Sequence, residues 1–321
     1  MWMKGVFTLQ NKATSLSVQQ MIIEKKKKGS IGQWIGKAMP FILLLTAIVS
    51  VLTTLGIVLT LIFETFTFFE HVSIVEFLTS QTWYPFSKPG SFGILPLIAG
   101  TLKVTIIAAI VAIPIGLASA IYLSEYATDK TRRVIKPILE ILAGIPTIVY
   151  GFFALTFVTP ILQKLIPSLE IFNALSPGIV IGIMITPMIA SLSEDAMSSV
   201  PNSMREGALA LGSTKFEVSL KVVLPAAISG IASSIVLAVS RAIGETMIVA
   251  VAGGSTPNLN WDFMSSIQTM TAYIVQVSQG DAGYGTTIYY SIYAVGFTLF
   301  VFTLFMNLLA QFVSRRFREE Y

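Results

Sequence analysis

The stretch REGALALGSTKFEVSLKVVLP, Arg205–Pro225, is a polar passage set between two strongly apolar segments. Alanines and leucines at 208–211 favour helix. Gly212 is a natural helix stop, and Ser213 with Thr214 can cap the next start. Pro225 suits the first turn of a following helix, where a missing N–H costs nothing. The pattern predicts a short helix, a turn at Gly212 and a second short helix: an elbow held against a bundle of apolar helices.

Composition says what kind of bundle. Hydrophobic residues make up 54% of the 321 residues and charged residues 12%. A soluble domain is about a quarter charged, so this is an integral membrane protein, and its apolar runs of spanning length read as an all-α, polytopic bundle. No cysteine is present and His71 is the single histidine, which excludes a disulfide framework and a thiolate or histidine-cluster metal site. The net charge of +4 does not point to nucleic acid, because the basic residues sit at the ends of apolar runs. Lys25–Lys28 resembles the start of a signal peptide, but the apolar run after it is too long and lacks a cleavage site. The first span is therefore expected to be retained.

Six spans of about 20 apolar residues are expected: Pro40–Phe63, Leu97–Leu123, Ile138–Leu162, Ile171–Leu192, Val222–Ala252 and Ile288–Val313. The expected divisions are a basic, flexible tail at 1–38, a first span with a long outer loop at 39–96, a core at 97–313 containing the elbow at 200–225, and a short tail at 314–321. Lys25–Lys28, Lys37, Lys130, Arg132, Arg133, Lys136, Arg205, Lys215, Lys221, Arg315, Arg316 and Arg318 fall on one side of this pattern, and only Lys88 and Lys164 on the other. The positive-inside rule then places both termini and the elbow in the cytoplasm. Gly178 and Gly182 permit close helix approach, and Pro114 and Pro187 favour kinks.

Charges at bilayer depth cost about 2.5–3.5 kcal/mol each on insertion scales and are functional candidates. The strongest are in SRAIGETM, residues 240–247. Arg241 and Glu245 are four apart, so they are expected to share one helix face. Counting from Pro225 puts Arg241 roughly 24 Å into the span. An arginine there suits a tetrahedral oxyanion, because its planar fork donates two parallel hydrogen bonds and stays charged. Glu245 could hold the guanidinium in place; a purely structural ion pair is the competing reading. Lys103, near the outer end of the second span, either adds positive field at the mouth or snorkels to the interface. Glu140 is expected near the boundary. No nucleophile–base cluster appears, so no covalent catalysis is expected. Gly207 and Gly212 have the glycine spacing of a P-loop, but Ser213 stands where lysine is needed.

Glu206, Gly207, Ala208, Gly212, Val222, Leu224 and Pro225 resemble the EAA loop of ABC importer permeases, with Gly207 replacing an alanine. FGILPLIAGTLKVT (92–105), PIGLASAIYLSEYA (114–127), LAGIPTIVYGFFAL (142–155) and RAIGETMIVAVAGG (241–254) narrow the likeness to the PstC-type permeases of phosphate ABC importers. The resemblance implies a type I (MetI-like) permease core. It implies that Glu206, Gly207, Ala208 and Gly212 form a coupling helix docked on a cytoplasmic ATPase, and that Arg241 and Glu245 serve phosphate passage. It also implies a PstA-type sister permease, a PstB-type ATPase dimer binding the ATP and Mg that this chain does not, and a PstS-type extracytoplasmic binding protein. On residue chemistry alone two alternatives stay open: a permease for sulfate, molybdate or another oxyanion, and an ATPase-independent secondary anion transporter or channel. The latter leaves the elbow unexplained, and no internal repeat of the kind common in such carriers is visible.

Overall fold

The computed structural model describes residues 3–280 and 282–316, with the side chains of 3–34, 37, 310 and 313–316 excepted. The side chains of Lys25–Lys28, Lys37, Arg315 and Arg316, and residues 317–321, including Arg318, therefore lie outside the described residues. Residues 1–60 and 61–321 form two units. The first consists of helix α1, Met3–His71, as far as Thr60. The expected irregular tail is thus part of the first helix, and its apolar part, from Ala38, is long enough to span.

The second unit holds everything else. The outer segment after α1 contains α2 (Ile74–Thr79) and a two-residue hairpin, β1 (Trp83–Tyr84) with β2 (Ser91–Phe92). Then come α3 (Leu95–Ile121), α4 (Asp129–Gly144), α5 (Thr147–Phe153), α6 (Thr159–Leu165) and α7 (Leu175–Ser198). Beyond α7 lie α8 (Asn202–Ala210), α9 (Lys215–Val218), α10 (Leu224–Ala226), α11 (Ile228–Ile243), α12 (Met247–Ala252), α13 (Met270–Gln279) and α14 (Thr287–Arg316).

Among the described residues five helical segments are long and apolar enough to cross a membrane, and a sixth crossing arises if the bent pair Lys215–Ala226 and Ile228–Ile243 is one span. Two expectations need correction. The third span runs Thr147–Leu165 rather than Ile138–Leu162. Pro146 ends the preceding helix by disfavouring helical backbone at Ile145, which is extended, and this makes α4 a separate amphipathic helix with no buried residue. The fifth span is not one continuous helix over Val222–Ala252. It bends by 72° at Ala227 and breaks again over Gly244–Thr246.

The main core joins α3, α5, α7, α11 and α12 through Ile107, Ala112, Tyr150, Ile185, Ala238 and Ile248. Helices α3 and α7 meet closely where glycine removes the side chain. A Cβ on Gly178 would lie 2.7 Å from the Ile107 Cβ, and one on Gly182 would lie 2.7 Å from the Val111 Cβ. The expected Gly-x-x-x-Gly contact is therefore a contact with α3, and both helices run through their prolines, Pro114 and Pro187. An aromatic cluster of Phe68, Phe77, Trp83, Phe92 and Tyr273 packs the end of the bundle farthest from the elbow.

Candidate functional site

The elbow forms from local signals. Gly212 takes φ +88°, the left-handed region that a Cβ disfavours. Its N–H donates to the Leu209 carbonyl at 2.9 Å, and the Ser213 N–H to the Ala208 carbonyl at 3.2 Å, the paired bonds of a Schellman stop. Thr214 caps α9 reciprocally: its hydroxyl accepts from the Glu217 N–H, and the Glu217 carboxylate accepts from the Thr214 N–H at 3.0 Å. Thr214, rather than Ser213, is the cap. Met204 and Ala208 face inward onto Met197, Val200 and Val218. Glu206, Gly207 and Gly212 are exposed, with open space around both glycines. Of the four residues expected to couple, three thus face outward and Ala208 faces the bundle.

The intramembrane charges are arranged differently from expectation. Arg241 lies in the last turn of α11, and Glu245 lies in the break beyond it. They do not share a helix face, and among the described residues no ion pair joins them. Glu245 turns to the next half-helix. Its carboxylate accepts from the N–H groups of Met247 at 3.1 Å and Ile248 at 3.3 Å, satisfying donors that a helix start leaves unpaired. The Glu245 carbonyl accepts from the Thr271 hydroxyl at 2.8 Å. Arg241 is left exposed on the wall of an open cavity of about 370 Å³ that it shares with Lys136, Glu140, Pro187, Met188 and Ser191. The cavity is mostly apolar, which strengthens the field of any charge in it.

Lys103 is a second departure. It does not snorkel; it is fully buried. Its ammonium donates to the amide oxygens of Asn258 at 2.7 Å and Asn260 at 3.3 Å. Those asparagines belong to the segment between α12 and α13, which Asn258 pins further by donating to the Ser266 carbonyl at 2.8 Å. Lys103 is not among the residues lining the Arg241 cavity.

Sequence reasoning missed one cluster. Glu194, in α7 and 1% exposed, pairs with both Arg132 and Lys136 of α4. Lys136 also reaches Asp195 at 3.3 Å, and Arg132 donates to the Ser198 hydroxyl at 2.8 Å. The hydrogen bond to Glu194 holds the Lys136 ammonium above its ordinary pKa. The signal was available: cations four apart in one loop and a carboxylate at the end of an apolar span.

The family described as "Binding-protein-dependent transport system inner membrane component" matches residues 112–319, which takes in the last part of α3, all of α7, the elbow, the broken span and α14. The chain belongs to this family. Members similar to it include the "Probable ABC transporter permease protein YqgH" of Bacillus subtilis (strain 168), 37% identical over 245 residues, covering 76% of this chain and 79% of that protein. Another is the "Phosphate transport system permease protein PstC" of Mesorhizobium japonicum, 32% identical over 260 residues, covering 75% of this chain and 78% of that protein. Among solved structures, a bacterial ABC transporter involved in import of the acidic polysaccharide alginate aligns with a TM-score of 0.62 at 17% identity, covering 90% of this chain and 99% of that one. The fold of this family member is thus that of type I ABC importer permeases, and the chain is a multi-pass membrane protein.

Proposed function

We propose that the chain is the permease subunit of an ATP-driven importer and forms part of the transmembrane path for inorganic phosphate. The observation that carries this is Arg241: a permanent cation on the wall of an apolar-lined cavity, beside a break in a span. Its former candidate partner, Glu245, is occupied elsewhere, so the guanidinium fork is free to meet an oxyanion. Irregular backbone at membrane depth is tolerated where it lines a cavity or is buried in protein. Relatives that carry the phosphate-permease name support phosphate over other oxyanions. Glu245 and Lys103 act on this path indirectly, the first by fixing the break and the second by holding the outer segment onto α3.

The exposed face of α8, with Glu206 and Gly207, docks on a cytoplasmic ATPase dimer of PstB type, which binds the ATP and Mg. A PstA-type sister permease completes the path, and a PstS-type binding protein delivers phosphate from outside. The distribution of Lys and Arg about the spans supports an elbow and termini in the cytoplasm. The test is uptake of radiolabelled phosphate into proteoliposomes carrying the four components. Uptake that requires ATP and resists excess sulfate is expected. Uptake without the ATPase, or abolished by sulfate, would overturn the reading.

A further inference from the structure

Arg205, the first residue of the elbow sequence, fixes two spans to it. Its guanidinium uses its whole fork. The Nε–H lies 3.3 and 3.4 Å from the two Glu125 carboxylate oxygens, and Nη2 donates to Glu125 Oε1 at 3.1 Å and to the Met197 carbonyl at 2.7 Å. Nη1 donates to the Val200 carbonyl at 2.5 Å and to Asn202 Oδ1 at 3.2 Å. Glu125 lies in the π-helical turn Tyr122–Tyr126 that ends α3, and Met197 in the last turn of α7. One side chain on α8 therefore ties together the elbow ends of α3 and α7, the pair that pack glycine to side chain. The ion pair is largely withdrawn from water, with Arg205 17% and Glu125 6% exposed. Such a pair is costly unless its remaining donors are satisfied, and here they are.

Backward, α8 joins α7 through the three residues Ser199–Pro201, the side that Arg205 braces; the covalent route forward from α8 to α11 is softer. It passes the Gly212 turn, the four-residue α9, the π-helical turn Ser219–Val223 and the 72° bend at Ala227. A displacement of α8 is transmitted by whatever connects it most stiffly, since packed elements shift as units. We infer that Arg205 is the positioning residue that makes α8 and the α3–α7 pair one rigid body, so that a push from the nucleotide-hydrolysing partner moves these spans directly and not by way of α11. The inference deepens the proposed coupling and rests on that reading. Lysine cannot substitute, because a point ammonium has no planar fork to reach a carboxylate and two separate carbonyls at once.

The test uses the full importer in proteoliposomes, comparing the parent chain with Arg205→Lys, Arg205→Ala and Glu125→Gln. Co-purification of the ATPase, ATP hydrolysis stimulated by the binding protein, and phosphate taken up per ATP are read separately. The expected result is retained co-purification and hydrolysis, with uptake per ATP lowered about tenfold, within the range of coupling changes such links carry. Glu125→Gln should fall between the parent and Arg205→Ala. Unchanged uptake per ATP in an assembled Arg205→Ala importer would overturn the inference. If the ATPase does not bind even the parent chain, the proposed function fails instead. Should the variants not fold, the cysteine-free sequence permits spin labels at Ser203→Cys on α8 and Ala118→Cys on the exposed side of α3 in an otherwise unaltered chain. The distance between them should stay constant between nucleotide-free and ATP-trapped importer; a change would contradict the rigid body.

Discussion

Arg241 and Glu245 set the limit of what pattern reading could reach. Both residues were legible as candidates, since a charge inside an apolar run stands out. Their relationship was not, because the spacing argument assumed an unbroken helix and no proline marks Gly244–Thr246. The break is stabilised by the Glu245 carboxylate on two N–H groups and by Thr271, which approaches from a distant helix start. Glu245→Ala should leave those buried donors unpaired at a cost of about 1–3 kcal/mol, read as a lower melting temperature of the purified complex; Glu245→Gln, which keeps an acceptor oxygen, should recover most of it. A salt bridge to Arg241 would instead predict equal losses for both. Lys103 shows the same limit: snorkelling is the default for a lysine near a span end, and only the fold brings Asn258 and Asn260 over it. Lys103→Met removes that hold, and limited proteolysis should then cut the 254–263 segment faster than in the parent chain.

Elements whose signals are local were read well, and those fixed by distant contacts were not. The elbow follows from Gly212, Thr214 and a helix-favouring run, all within ten residues of one another. Removing the cap with Thr214→Ala should cost about 0.5–2 kcal/mol, seen as weaker ATPase co-purification if α9 orients the docking face. The glycines of the fourth span signalled close helix approach, and Gly178→Val should separate α3 from α7 by overpacking, costing about 1–3 kcal/mol. Pairing it with Ile107→Gly, which removes the Cβ, Cγ2 and Cδ1 atoms it strikes, should restore part of the lost melting temperature. Helix α4 escaped because its apolar residues merge with those of the next span across Pro146. Its attachment to α7 through Glu194 gives a pH signature. The Lys136 pKa is raised in the folded state, so its contribution is fully present below the unfolded lysine value of about 10.4 and fades as pH rises through the higher folded one. Thermal unfolding should therefore show no loss of this clamp from neutral pH to pH 9, and Lys136→Met should lower the melting temperature by a constant amount over that range and lessen its fall at higher pH.

At the scale of the molecule, one end of the bundle carries the exposed elbow tied to two spans, a broken span carries a guanidinium with no ion-pair partner among the described residues, and the far end is closed by an aromatic cluster and the segment over Lys103. In the proposed function this separates the surface that a second chain would push from the charge that would meet the cargo. Such a switch also needs contacts that differ between its two states, and the elbow clamp is where they would be felt. The most direct measurement is phosphate uptake by the reconstituted importer bearing Arg241→Ala, scored beside its assembly and its ATP hydrolysis. A complex that assembles, binds its ATPase and hydrolyses ATP while uptake is lost is the expected result. Normal uptake, or a complex that no longer assembles, would contradict the placement of Arg241 on the path of the anion.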